Sequence, residues 1–146
     1  MATMTALCAC KTYLSGAAKP GKKALTKEHR QRIQTKATTK ILASIDFDAT
    51  TRPRFPEHAR WDYLIEVKQV DASAKTIAVE FHSVEFSRLE KKRRDSMTIL
   101  TSECEPTPKV AEWILVPEGD TGGIALTVRR KLAGIGVRTA GRRLDL

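Results

Sequence analysis

Arg60-Trp-Asp-Tyr-Leu-Ile-Glu-Val-Lys68 and Thr76-Ile-Ala-Val-Glu-Phe-His-Ser83 are the two segments whose reading decides the fold. Odd positions Trp61, Tyr63, Ile65 and Val67 are apolar in the first, and Ile77, Val79 and Phe81 in the second. Alternation of this kind marks a half-buried strand, because successive side chains point to opposite faces. The even positions place Asp62, Glu66, Lys68, Glu80 and His82 on one shared face. Such a face is either an ordinary solvated sheet surface or a site for metal-dependent chemistry, and the functional reading turns on that choice.

Working outward, residues 69–75 are too short a connection for anything but an antiparallel hairpin. A turn centred on Ser73 sets Glu66 opposite Glu80 and brings Asp62 near His82 and Val84. Phe86, Leu89, Met97 and Leu100 recur at helical spacing and predict a helix over 85–101. Residues 110–116 are nearly continuously apolar, as expected of a central strand buried on both faces. A helix over 126–133, stopped by Gly134, and an edge strand over 136–144 follow. Upstream, Thr26 is placed to cap a helix reaching Ile41, with Leu25, Ile33, Ala37 and Ile41 as its apolar stripe. A strand over 44–48 and a proline-containing loop over 50–59 lead into Trp61. The expected fold is an α/β sandwich with a mixed sheet, in the order α-β-β-β-α-β-α-β.

Residues 1–24 contain no acidic residue and are rich in Thr, Ala, Gly and Lys, the composition of a flexible basic tail. The rest, 25–146, reads as a single α/β domain, and a chain of 146 residues can bury a core without metals or disulfides. The net charge of +9 is unevenly spread: residues 1–60 hold 12 Lys or Arg against 4 acids, and residues 61–146 hold 14 against 13. A basic excess attracts polyanions, nucleic acid above all. Lys27 and Arg30 on the first helix, with Lys91, Arg93 and Arg94 on the second, are the candidate phosphate contacts, although a run such as 91–94 is also the ordinary composition of a solvated helix face.

Cys8, Cys10 and Cys104 are an odd number, which argues against a disulfide framework and for a reducing, cytoplasmic setting. No stretch approaches the ~20 apolar residues that span a bilayer. Trp61 and Trp113 read as core, and His29 and His58, without partners in sequence, as surface residues. The glycines over 119–123 lack a P-loop lysine and hydroxyl and read as a plain loop.

A helix, three antiparallel strands, a helix and a strand, with Asp62 followed after 17 intervening residues by Glu80-Phe81-His82, resembles the restriction-endonuclease-like superfamily, PD-(D/E)xK. The resemblance covers roughly residues 26–116. It implies that Asp62 and Glu80 bind Mg²⁺, with Mn²⁺ as a substitute, at a forked sheet edge, and that a lysine beside them positions a water. His82 stands where that lysine belongs, so Lys68, Lys91 or Lys92 would have to supply the cation, and Glu66 could be a third ligand. An alternative takes Glu66-Val67-Lys68 as the acid-x-lysine, with Asp46 or Asp48 upstream. The chain also resembles an uncharacterised bacterial family with Trp-Asp and Glu-x-His strands, here Trp61-Asp62 and Glu80-Phe-His82, followed by Lys91-Lys92, Trp113 and Leu132-Ala-Gly-Ile135.

The expected function is therefore a Mg²⁺-dependent nuclease-like domain in which Asp62, Glu80, His82 and Lys92 act on nucleic acid phosphodiesters. The alternatives are an inactive domain of the same fold that binds nucleic acid or protein, and a structural protein with no nucleic acid role.

Overall fold

The computed structural model describes residues 4–82, 85–118 and 125–146; the loop expected over 119–123 and Val84 lie outside them. A short 3-10 helix, Thr5–Leu7, opens the chain, followed by α1 (Thr12–Ser15), β1 (Lys19–Pro20), α2 (Lys27–Gln31), β2 (Ile33–Gln34) and β3 (Thr39–Asp46). Next come α3 (Phe47–Thr51), β4 (Tyr63–Gln69), β5 (Lys75–His82) and α4 (Phe86–Glu103). The chain closes with β6 (Val110–Pro117), α5 (Leu126–Gly134), β7 (Val137–Thr139) and β8 (Leu144–Asp145). Six strands form one sheet in the order β1-β3-β4-β5-β6-β7, antiparallel as far as β5 and parallel from β5 to β7; β2 and β8 pair separately in parallel. The mixed α/β architecture is as expected, with additions at both ends.

Both faces of the central strands are buried. On one face Ala43, Leu64, Ala78, Trp113 and Leu115 pack with Leu89, Ile99 and Leu100 of α4 and Leu132 of α5. Tyr63, Ile65, Val67, Ile77, Val79 and Phe81 line the other, under Leu25, Ile33, Ala140 and Leu144. Tryptophans 61 and 113 meet edge to face at 5.2 Å and 82°, a geometry that contributes about 0.5–1.5 kcal/mol beyond burial. Trp61 precedes β4 and packs with the α4 side, so the alternation of odd positions breaks between it and Tyr63.

Several expectations are overturned. The helix capped by Thr26, whose hydroxyl accepts from His29 N–H at 3.3 Å, ends at Gln31 instead of Ile41. Thr35, Thr38 and Thr39 follow it, and β-branched residues lose rotamer freedom in a helix and fit an extended strand. Ile33 and Ile41 accordingly stand on strands. Nor are residues 4–24 a loose tail: Met4, Leu7 and Leu14 are at most 1% exposed in the core. Lys11 N–H donates to the Glu103 carbonyl at 3.0 Å, and Glu103 Oε1 accepts from the Tyr13 hydroxyl at 2.8 Å. Burial and that carboxylate push the Tyr13 hydroxyl up to about 12. Where the odd cysteine count argued against a disulfide framework, Cys10 and Cys104 are joined by a disulfide, and Cys8 is free and exposed.

Candidate functional site

The hairpin register creates the site. Tyr63 pairs with Val79 and Leu64 with Ala78, so the next step along the ladder sets Asp62 opposite Glu80. The expected pairing of Glu66 with Glu80 is wrong: Glu66 pairs with Thr76. The turn is centred on Asp71, which adopts a left-handed φ of 62°, a conformation that aspartate tolerates better than most residues. Past Val79, β5 leaves β4 and continues on β6 alone, with Glu80 beside Leu115 and His82 beside Pro117. The strands fork there, and side chains replace the missing ladder bonds. Asp62 N–H donates to Glu80 Oε1 at 2.9 Å, and Phe81 N–H donates to Asp62 Oδ2 at 3.0 Å.

Helix α4 closes the fork. Lys92 Nζ forms an ion pair with Glu80 Oε2, and both groups are well shielded, with Glu80 wholly buried. One turn further, Ser96 Oγ accepts from Trp61 N–H at 2.8 Å and Asp95 Oδ2 from Ala59 N–H at 2.9 Å. The same helix therefore supplies the cation and holds the chain entering Asp62. From the other side, Phe47 N–H donates to the Asp62 carbonyl at 2.9 Å.

Electrostatics follow from this enclosure. Burial, reinforced by the Asp62 carboxylate, pushes Glu80 up to about 7 against the pull of Lys92. Burial also raises Asp62, opposed by the Phe81 N–H and by Lys92. His82 is lowered, first by burial and then by Lys92 and Arg88, so its imidazole is neutral at neutral pH. With Glu80 raised to about 7, its carboxylate is about half protonated at neutral pH, and Lys92 balances the charge that remains on it.

Asp62, Glu80, His82 and Lys92 are thus brought to one end of the sheet, and Glu66 is not. Glu66 lies four residues along the strand, about 13 Å away at ~3.3 Å per residue. Its carboxylate is buried and accepts from Thr5 N–H at 2.9 Å. The alternative acid-x-lysine also fails as a cluster: Lys68 is exposed and pairs across from Lys40, Asp46 caps α3 by accepting from Ala49 N–H, and Asp48 holds Arg60 and Arg52. Among the described residues, no group of three or more His, Cys, Asp or Glu side chains could hold a metal ion. The Asp62 and Glu80 pair remains, two oxygen donors of the kind that Mg²⁺ takes, with Glu80 Oε2 already held by Lys92.

His29 is a residue that the sequence reading missed. Its ring stacks on Phe81 at 4.2 Å and 4°, and its Nδ1 lies 2.8 Å from the Tyr63 hydroxyl. Its Nε2 is 3.8 Å from Glu118, and its charge, when present, favours the Asp62 carboxylate. Nothing local signals this, because the partners lie 34 or more residues away. Of the expected phosphate contacts, Lys27, Arg30 and Arg94 are exposed, and exposed Lys91 is paired with Asp95 at 2.6 Å. Arg93 lies over the Trp113 ring at 5.4 Å. Among the described residues no helix is long and apolar enough to cross a membrane.

No protein-family model, curated protein or solved structure matches the chain.

Proposed function

We propose that this protein is a metal-dependent phosphodiesterase of the restriction-endonuclease-like, PD-(D/E)xK type, acting on nucleic acid. The observation that carries this reading is the reciprocal bonding of Asp62 and Glu80 across the forked strands, with Lys92 against Glu80. Lys92 supplies from α4 the positive charge missing at position 82. Asp62 and Glu80 would hold the ion, and a bound Mg²⁺ would lower the pKa of a coordinated water and steady charge on the phosphate. His82, neutral and beside the pair, can accept a proton. The basic surface supplies non-specific attraction to the phosphate backbone.

Plasmid, single-stranded DNA and RNA incubated with the protein in Mg²⁺ or Mn²⁺ test the reading. Cleavage that Asp62→Ala, Glu80→Ala and Lys92→Met each abolish is expected; no cleavage by wild type, or cleavage that survives Glu80→Ala, rejects it. A second reading, an inactive domain that binds nucleic acid, is favoured by Lys92 itself, which already occupies the Glu80 oxygen that an ion would need. Salt-sensitive binding without cleavage would select it.

A further inference from the structure

A cavity of about 1210 Å³ opens between α4 and the turn that joins α5 to β7. We propose that it is a binding site for a phosphate monoester, with Arg93 as its fixed donor. This site goes beyond the fork: Lys92 and Arg93 are successive residues on α4, about 100° apart around the helix axis, and they serve separate places.

Three observations converge on Arg93. Its guanidinium lies over the Trp113 ring, 5.4 Å from the centroid, which holds the planar group flat. Its Nε is buried and has no hydrogen-bond partner, and no carboxylate pairs with the side chain among the described residues. Two other shielded cations, Arg60 and Lys92, are matched to Asp48 and Glu80. A partly desolvated guanidinium with no counter-charge is unfavourable alone and is offset by an arriving anion. Finally, the turn packs against the guanidinium: Gly136, at a φ of +81° that favours glycine, lies where a Cβ would touch Arg93 Nη2 at 3.4 Å.

The cavity's chemistry selects the ligand class. Arg94 adds a second guanidinium to the lining, which suits a doubly charged anion better than a single carboxylate. Glu90 also lines the cavity, and the Thr101 and Ser102 hydroxyls lie about 12–14 Å further along α4 at ~1.5 Å per residue, on the side of the organic part of the molecule. Met97 and Ile135 give an apolar wall for the organic part of the molecule. A 5′-phosphate on a nucleoside has this chemistry, and it is presented either by a free mononucleotide or by the end of a nucleic acid strand.

Tryptophan fluorescence of the full chain, in which Trp113 lies under the Arg93 guanidinium, reads binding directly. The probes are adenosine, adenosine 5′-monophosphate, and one oligonucleotide with and without a 5′-phosphate. At least one phosphorylated probe should bind, at least tenfold more tightly than its unphosphorylated counterpart, and Arg93→Gln should weaken it tenfold or more. Mononucleotide binding identifies a free nucleotide as the source; binding of the phosphorylated oligonucleotide alone identifies a strand end. Arg93→Lys, which keeps the charge but loses the planar fork, covers the case of a misfolded glutamine variant and should still weaken binding several-fold. Glu80→Gln should leave this binding intact, so its failure is separate from loss of cleavage. Equal binding with and without phosphate, equal binding by wild type and Arg93→Lys, or no binding at millimolar probe would overturn the proposal.

Discussion

Glu80 carries a carboxylate into a wholly buried position beside a second one, and its proton equilibrium should be visible in both stability and chemistry. Its folded value of about 7 lies above the ordinary 4.5, so between those values the folded protein holds more protons than the unfolded chain. Stability then falls as pH rises through that window, by roughly 3 kcal/mol in total at ~1.4 kcal/mol per unit. His82, lowered below its ordinary 6.5, acts in the opposite sense below pH 6.5. The difference between wild type and Glu80→Gln isolates the glutamate: urea-unfolding free energies at pH 5 and pH 8 should fall more in wild type. An equal change in both proteins would contradict the buried, proton-linked glutamate. Lys92 lowers Glu80, so Lys92→Met should move its titration, followed by carboxyl-carbon NMR, above about 7. Because ion binding competes with the proton, Mn²⁺ affinity should rise through the same pH range in wild type.

At the scale of elements, α4 ties the fork together, and its polar contacts are as important as its apolar stripe. Ser96→Ala leaves the buried Trp61 N–H without an acceptor and should cost about 1–3 kcal/mol in urea unfolding. A loss of the proposed cleavage larger than the loss of folded protein would show that Asp62 has also moved. The helix was legible in the sequence from Leu89 and Leu100, and β6 from its apolar run, because both signals are local. Register was not. A turn centred on Ser73 and one centred on Asp71 are equally compatible with the alternation, and only the left-handed Asp71 with the packing of Leu64 and Ala78 under α4 chooses between them. That choice moves Glu80 from Glu66 to Asp62. The burial of the even-numbered face was hidden for the same reason, since a polar face gives no sign of the helix that covers it.

On the scale of the whole molecule, the N-terminal segment closes the core it was expected to leave. Met4, Leu7 and Leu14 fill the α4 side, and the disulfide links residues 94 apart. Cys104→Ser should lower stability by about 2–4 kcal/mol, since the cross-link restrains a long loop in the unfolded chain, and dithiothreitol should produce the same fall in wild type but none in the variant. A melting temperature unchanged by either treatment would mean that the bond contributes nothing. The amino-acid sequence by itself determined the paired strands, the helix after them, and the residue types at Asp62, Glu80, His82 and Lys92. Those follow from periodicity and composition, which act over a few residues. Tertiary structure alone decided which acids face each other, which of several lysines joins them, that His29 stands beside Phe81, and that no carboxylate among the described residues pairs with Arg93. Each of these depends on packing between segments far apart in the chain, where the energy of a contact leaves no mark on neighbouring residues.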